Sequence, residues 1–221
     1  MFIYLVIHPT YCYASVISHF VGQLLLSFSQ LSSKPYLLGQ LSGAVGGMCE
    51  IKLGGKQMLA CSLLVKQTIE IFDLEDGICK KVYQVPRLRP GQIDFVEPET
   101  LVVKHHISGA KTDIAVYRVS ENQLDMTVNI PNVYMVNEPR GARIADLNDL
   151  KHDLVAVKEL NIIVLTGPND DTRGQLKGYD LKTGHYLWGR ALVDVKPDDP
   201  FKLTSICHVT DGRFLVNLGN K

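Results

Sequence analysis

The sequence has little charge at its amino-terminal end and no concentrated charge anywhere else. Residues 1–33 contain no Lys, Arg, Asp or Glu. Over the whole chain, 23 Lys and Arg residues balance 23 Asp and Glu residues, so the formal net charge is zero. Because a phosphate backbone is bound by concentrated positive charge, this absence argues against a nucleic-acid partner.

Cysteine is scarce, and its spacing excludes the usual cysteine sites. The five cysteines are Cys12, Cys49, Cys61, Cys79 and Cys207, which match no CxxC pair and no zinc-ligand pattern. Several lie in apolar runs, where a free thiol behaves as a small hydrophobic side chain. The chain also lacks an N-x-S/T sequon. We therefore expect reduced, structural cysteines and a cytoplasmic or nuclear location.

The short motifs of common enzymes are missing as well. The sequence contains no G-x-S-x-G, Walker, dinucleotide-binding or H-E-x-x-H motif. It therefore predicts no cofactor and no catalytic residue. This favours a protein that is not an enzyme, although an enzyme remains the alternative.

The apolar segment of residues 1–35, which carries no charge before Lys34, admits two interpretations. A signal peptide carries a positive n-region, but the first positive side chain here is Lys34. A membrane-spanning helix has about 20 consecutive apolar residues, whereas His8, Pro9, His19 and Gln23 interrupt this run. We expect an irregular or helical hydrophobic leader that is not part of the repeats. A membrane-tethered protein anchored by this segment is the minority alternative.

One phrase is present four times, and it defines the predicted fold. Each copy has an alternating apolar run, a polar turn and a second apolar run. The turns read GGKQ (54–57), EPET (97–100), KELN (158–161) and TDGR (210–213). The second runs begin 43, 61 and 52 residues apart. Strand-built repeats of roughly 40–50 residues are typical of a propeller, so we predict an all-β fold.

The first three repeats continue into a third and a fourth predicted strand. We predict a partial β-propeller of about three and a half four-stranded antiparallel blades within residues 36–221. The predicted blades cover residues 44–85, 92–130 and 152–191, with a half blade at 204–218. Because the last repeat supplies one hairpin, we expect a fragment of a longer propeller, or self-association through the unfinished blade.

Two phrases at the end of the third predicted strands resemble the WD-type repeat. Ile71-Phe72-Asp73-Leu74 and Gly178-Tyr179-Asp180-Leu181 have its aromatic-Asp-apolar unit, although no Gly-His dipeptide opens these repeats. The resemblance implies a non-catalytic scaffold or adaptor that binds other proteins. The phrase at 179–189, YDLKTGHYLWG, resembles one repeat of the quinoprotein-type propellers, Asp-x-x-Thr-Gly-x-x-x-Trp. That resemblance implies a propeller enzyme as the alternative. We interpret its Trp188 as core packing.

The long link at residues 131–151 is the predicted partner-binding loop. Long connections on a rigid scaffold are where function tends to lie. This link combines Tyr134 and Met135 with Arg140 and Arg143. Aromatic, Met and Arg side chains are enriched at protein interfaces. We therefore predict that these four residues contact other proteins, whose identity the sequence leaves open.

Three other groups have simpler structural interpretations. His105 and His106 are neighbours in a predicted strand, so they face opposite ways and cannot bind one metal together. Asn169-Asp170-Asp171 has oxygens suited to calcium, but Asn and Asp are also ordinary turn residues. Glu97 and Glu99 would form an acid/base pair only if the fold brought them together.

Overall fold

The computed structural model shows a chain built from strands. It describes residues 3–7, 11–17, 23–29, 36–41, 45–74, 78–85, 89–107, 111–135, 154–168, 174–191, 202–210 and 212–219. No helix occurs in these ranges, and hence none that could cross a bilayer.

Eighteen strands follow one another through the described residues. They are β1 (Ile3–Ile7), β2 (Tyr11–Ile17), β3 (Gln23–Ser29), β4 (Tyr36–Leu41), β5 (Val45–Leu53), β6 (Lys56–Leu63), β7 (Thr68–Asp73), β8 (Cys79–Gln84), β9 (Arg89–Val96), β10 (Thr100–Ile107), β11 (Lys111–Val119), β12 (Leu124–Met135), β13 (Leu154–Val157), β14 (Ile162–Pro168), β15 (Gly174–Asp180), β16 (Tyr186–Ala191), β17 (Lys202–Thr210) and β18 (Arg213–Gly219).

The strands form antiparallel sheets in chain order. Four sheets have four strands each, β1–β4, β5–β8, β9–β12 and β13–β16, and β17 pairs with β18. The all-β prediction and the repeated four-stranded sheets are therefore confirmed, and the described residues contain one four-stranded sheet more than the three predicted. The turn between β5 and β6 uses Gly54 and Gly55 at φ 57° and 79°, a left-handed conformation that glycine adopts without steric cost.

The expected irregular or helical leader is wrong. Residues 3–41 contain β1, β2, β3 and β4, which pair in that order as an antiparallel sheet. Of the interruptions in this apolar segment, His8, Pro9 and His19 fall between strands of five to seven residues, whereas Gln23 is the first residue of β3. Short apolar runs bounded by turn residues are typical of strands. The sequence interpretation treated these interruptions as breaks in one long apolar segment.

The predicted link after the second repeat begins later than expected. Strand β12 continues through Pro131 to Met135, which pairs with Lys111 of β11. The pairing shifts register between Thr112 and Ile114. Because β12 is the last strand of its sheet, it tolerates a proline that cannot donate a ladder hydrogen bond. Proline therefore gave a false signal for the end of this strand.

Two compact units make up the chain, Met1–Gly91 and Gln92–Lys221. In the first unit, β6 and β7 are buried on both faces and supply much of the core. Leu59, Cys61 and Leu63 of β6 belong to one buried cluster with Phe72 of β7. An unbroken buried pattern explains why these strands alternate only partly between apolar and polar residues.

The second unit has its core between sheets β9–β12 and β13–β16. The cluster joins residues of the first sheet to residues of the second: Val96, Val102, Ile114, Val116, Ile130, Val133, Leu154, Ile163, Leu165, Tyr179 and Leu181. Gly184 contacts the neighbouring sheet, since a Cβ there would lie 2.7 Å from Val128 Cγ1 and 3.0 Å from Ile130 Cγ1. The absence of a side chain at this turn lets the two sheets approach closely.

We expect Gly184→Ala to destabilise the second unit. Gly184 has φ +72°, where an L-residue costs roughly 1–2 kcal/mol, and its methyl group would also press on Val128. The free energy of unfolding should fall by about 2 kcal/mol, measured in urea through the fluorescence of Trp188. Gly212→Ala is the control, because Gly212 lies in the same unit and also has positive φ, but an added Cβ would lie 3.5 Å from Leu160 Cδ1, an ordinary contact distance. Equal losses in both variants would show that contact with Val128 is unimportant.

Candidate functional site

A pocket lies in the second unit between sheets β9–β12 and β13–β16. Its volume is about 480 Å³, within the usual range for ligand pockets of roughly 300–1,000 Å³. Four buried residues, Val96, Val116, Tyr117 and Leu181, line it together with the half-buried Thr100 and Asn161. The pocket therefore has an apolar centre made by both sheets.

The repeated turns place the pocket at one end of the strands in these two sheets. Residues 97–99 join β9 to β10, and residues 158–161 join β13 to β14. Both turns contribute lining residues. Because each sheet is an antiparallel meander, its first and third turns lie at the same end of the strands. The turn after β15, which contributes Leu181 and Lys182, is therefore at this end as well.

The side chain of Asp180 holds the turn after β15. Its Oδ1 accepts hydrogen bonds from Lys182 N at 3.0 Å, Thr183 N at 2.7 Å and Thr183 Oγ1 at 2.9 Å. These donors, the Thr183 N–H first, lower the pKa of Asp180. Since charged acceptors make the stronger hydrogen bonds, the carboxylate fixes the turn that forms one wall of the pocket.

Asn161 ties the two turns of the third sheet together. Its Nδ2 donates to Asp180 Oδ2 at 2.6 Å, and its backbone carbonyl accepts from Leu181 N at 2.9 Å. The residue has φ 52°, a left-handed conformation that Asn tolerates better than most residues. The pocket wall on this side is therefore held by side-chain hydrogen bonds as well as by the strand ladder.

Two polar side chains of β9 join the first strands of the two sheets. Gln92 Nε2 donates to Leu154 O at 2.9 Å, and Gln92 Oε1 accepts from Leu154 N at 3.1 Å. Asp94 Oδ2 accepts from Ala156 N at 2.7 Å. Burial raises the pKa of Asp94 to about 6, although the N–H groups of Ala156 and Phe95 oppose that rise. These contacts align β13 with β9 next to the pocket.

The rim of the pocket is charged, and the two signs are unevenly distributed. The first sheet contributes Glu97, Glu99 and Arg118, whereas the second contributes Lys158 and Lys182. All five side chains are exposed. The fold thus brings Glu97 and Glu99 to one pocket, but on a solvent-exposed rim. The arrangement is suited to recognising a charged partner.

The predicted partner-binding loop begins at the opposite end of the strands in sheet β9–β12. Tyr134 pairs with Thr112 and Met135 with Lys111, at the end of β11 away from Arg118. Arg140 and Arg143 lie outside the described residues. A partner-binding role for these four residues stays a prediction, and the pocket is a second, separate candidate surface.

His105 and His106 lie in β10, as expected for a strand, and differ in burial. His105 is fully buried, and its Nε2 is 2.9 Å from Tyr117 OH. Its Nδ1 has no hydrogen-bond partner. Burial, with a smaller contribution from His106, lowers the pKa of His105 to about 3. His105 is therefore a neutral core histidine.

Within the part of the chain that the structure describes, no group of three His, Cys, Asp or Glu residues could hold a metal ion. The predicted calcium-binding alternative at 169–171 lies outside the described residues. Cys49 and Cys61 are buried free thiols, and burial raises the pKa of Cys61. Since the thiolate is the reactive form, Cys61 is suited to packing rather than chemistry.

The quinoprotein-like phrase has a structural role in this chain. Asp180, Thr183 and Gly184 form the hydrogen-bonded turn after β15, in which Gly184 N donates to Asp180 O at 2.9 Å. Trp188 pairs with Gly178 across β15 and β16, and a Cβ on Gly178 would collide with its indole ring. Trp188 therefore packs within its own sheet, half-buried.

Sequence reasoning missed most of the pocket. Neither Arg118 nor Lys182 stood out, because isolated charges in turns are common. One signal that indicates the pocket is the equivalence of the EPET and KELN turns, since equivalent turns of neighbouring repeats lie at the same end of their sheets. The polar residues Gln92 and Asp94, two apart on one strand, were a second signal, because they share a face.

No protein-family model and no curated protein sequence matches this chain. Similarity is found only among solved structures, where it is of backbone form rather than sequence.

The solved structures similar to the chain include a designed protein and two dehydrogenases. The computationally designed Ika8 protein matches at a TM-score of 0.54 and 13% identity, covering 97% of this chain and 54% of its own. The dihydro-heme d1 dehydrogenase NirN, in complex with DHE, matches at 0.56 and 13%, covering 85% and 37%. The quinohemoprotein alcohol dehydrogenase ADHIIG from Pseudomonas putida HK5 matches at 0.52 and 11%, covering 96% and 37%.

These similarities, with the repeated four-stranded sheets, show that the fold is that of a partial β-propeller. The chain spans about half the length of the designed protein and little more than a third of each dehydrogenase. At such low identity the comparison shows the fold alone. The WD-type character inferred from the sequence remains a prediction.

Proposed function

We propose that this chain is a non-catalytic β-propeller scaffold that binds a partner protein at the pocket between sheets β9–β12 and β13–β16. The observation that carries the proposal is the pocket's composition. Its centre is apolar and buried, and five charged side chains surround it on an exposed rim. A fully buried centre with a polar, solvent-accessible rim is the usual anatomy of a protein interface.

The position of the polar groups favours binding over catalysis. Side chains that could position a reacting group, such as Asp180, Thr183 and Asn161, form hydrogen bonds with the turns instead. Small-molecule sites bury most of their ligand beneath a few converging polar groups. Here the charged side chains lie at the mouth of the pocket, which suits a partner that remains largely outside. We propose a cytoplasmic or nuclear partner, in keeping with the buried free thiols.

We expect Thr127→Arg to reduce partner capture strongly, because Thr127 is an exposed lining residue of β12 and a long charged side chain would enter the pocket. Met126→Arg is the matched control. Met126 is the preceding residue, 48% exposed, and is not part of the pocket. Affinity capture with the tagged wild-type chain and both variants, read by quantitative mass spectrometry, compares the proteins that each recovers.

A protein retained by the wild type and by Met126→Arg, but lost with Thr127→Arg, is the expected result. Loss with both variants, or with neither, would contradict binding at the pocket. Replacing Tyr134 and Arg140 with alanine tests the predicted loop in the same experiment. Loss of the partner only in that variant would assign binding to the end of sheet β9–β12 that lies away from the pocket.

A segment of a propeller enzyme is the second candidate function. It is supported by the backbone likeness to two dehydrogenases and by the Asp-x-x-Thr-Gly-x-x-x-Trp phrase at 180–188. Since a ligand that binds only the native state raises its stability, a soluble quinone with calcium should then raise the melting temperature. An unchanged melting temperature counts against this candidate.

A further inference from the structure

We propose that the pocket accepts an extended peptide segment of the partner with a basic side chain at one end, an apolar side chain in the middle and an acidic side chain at the other end. This inference rests on the proposed function and specifies the chemistry of its partner. It follows from which sheet supplies each charge and from the apolar centre between them.

The two walls of the pocket differ in charge. Glu97 and Glu99 both come from the turn of the first sheet, whereas Lys158 and Lys182 both come from turns of the second. A partner segment that crosses from one wall to the other therefore meets carboxylates first and ammonium groups second. Complementary charges across an interface fix orientation and suppress wrong partners.

Arg118 makes the two ends of the site unequal. It pairs with Thr100, the residue next to Glu99, so it belongs to the acidic wall. That wall then carries one net negative charge, and the opposite wall carries two positive charges. The acidic end of the partner segment should therefore contribute more to binding than its basic end.

The centre of the pocket suits one apolar side chain. Val96, Val116 and Leu181 are buried and come from both sheets. In an extended peptide alternate side chains point the same way. A segment with its charged residues two positions before and after the apolar one would direct all three side chains toward the pocket.

The probe is a fluorescein-labelled peptide with the central sequence Lys-Ser-Leu-Ser-Glu, titrated with the full chain and read by fluorescence anisotropy. Two charge-reversed variants are compared, Lys158→Glu with Lys182→Glu, and Glu97→Lys with Glu99→Lys. A second peptide, Lys-Ser-Leu-Ser-Lys, tests whether specificity switches. A third, Lys-Ser-Ser-Ser-Glu, lacks the apolar side chain.

Reversing both lysines should weaken binding of the first peptide by roughly tenfold, since attraction is replaced by repulsion but exposed ion pairs are individually weak. The same variant should bind the Lys-Ser-Leu-Ser-Lys peptide more tightly than the wild type does. Reversing both glutamates should weaken the first peptide by only about threefold. Loss of the central leucine should abolish detectable binding.

Lys52→Glu with Lys56→Glu is the matched control. These exposed lysines flank the turn between β5 and β6 and are not part of the pocket. The control changes net charge as much as the lysine reversal at the pocket, and it should leave binding unchanged. Far-ultraviolet circular dichroism confirms that each variant is folded, because the control lies in the first unit and Trp188 in the second. Wild-type affinity for the first peptide should fall as salt rises, because salt screens exposed charges.

The outcomes separate this inference from the proposed function. Equal binding of all peptides, or equal weakening by the control, would overturn the inference. If Thr127→Arg abolishes partner capture but charge reversal leaves peptide binding unaltered, the pocket binds a partner of different chemistry. If Thr127→Arg also leaves partner capture unchanged, the proposed function itself is wrong.

Discussion

Replacing His105 and Tyr117 together by Phe is expected to remove a large acid-sensitive contribution to stability. His105 is fully buried, and its Nδ1 has no partner to accept a proton's hydrogen bond. The native state therefore resists protonation, with a pKa lowered from 6.5 to about 3. The unfolded state takes up the proton below pH 6.5. The free energy of unfolding must then fall as the pH drops from 6.5 toward 3.

The expected loss from His105 is roughly 3 kcal/mol at pH 4, at about 1.4 kcal/mol per pH unit. The double variant removes both partners of the 2.9 Å hydrogen bond, a change that can be nearly neutral because neither partner is left unsatisfied. It should resemble the wild type at pH 7 and exceed it by roughly 3 kcal/mol at pH 4. Urea unfolding through Trp188 fluorescence measures both values.

Tyr117→Phe alone is the control for the loss of the tyrosine hydroxyl. It keeps His105 and therefore keeps the acid sensitivity, although it leaves His105 Nε2 without its hydrogen bond to Tyr117. We expect a loss of about 1–3 kcal/mol at pH 7, the usual result of leaving a buried polar group unsatisfied. If the double variant and the wild type change equally between pH 7 and pH 4, His105 does not stay neutral in the native state.

The repeats predicted most of the fold because they combine two independent signals. Each repeat has strand-forming runs and a turn of small or polar residues, and the copies recur at similar spacing. The amino-terminal sheet has the runs but not the repeated phrase. Its strands, such as Gln23–Ser29, are short and carry no charge. Composition alone therefore does not distinguish them from a hydrophobic leader. Periodicity over five to seven residues is ambiguous without repetition.

The pocket could be predicted only in part, because it depends on how two sheets meet. The sequence identified the 97–100 and 158–161 turns but not their distance from each other. The contacts that align the sheets are made by Gln92 and Asp94, whose partners are 62 residues further along the chain. Their acceptors and donors are backbone groups of Leu154 and Ala156, which carry no sequence signal. Side-chain identity alone therefore could not show this contact.

Asp94→Asn is expected to remove the pH dependence that Asp94, at the contact between β9 and β13, contributes to stability. Burial raises the pKa of Asp94 from 3.8 to about 6 in the native state. A carboxyl group with a raised native pKa favours folding below its unfolded pKa, and that contribution is lost as the pH rises through 6. At about 1.4 kcal/mol per pKa unit, ionised Asp94 destabilises the native state by roughly 3 kcal/mol at pH 7.

Asparagine keeps an oxygen that can accept the hydrogen bond from Ala156 N, and it carries no charge to desolvate. The variant should therefore gain stability relative to the wild type at pH 7 and lose that advantage by pH 4, a change of roughly 3 kcal/mol in the difference. Asp125→Asn is the control, because Asp125 is an exposed aspartate of β12.

The contributions of Asp94 and His105 have opposite signs over the same pH range, so they largely cancel in the wild type. A nearly flat wild-type profile between pH 6 and pH 4 would therefore agree with both predictions. The Asp94→Asn variant exposes the loss caused by His105, and its stability should fall steadily with acid. If Asp94→Asn and the wild type have the same free energy of unfolding at every pH, burial does not raise the pKa of Asp94, and the prediction is wrong.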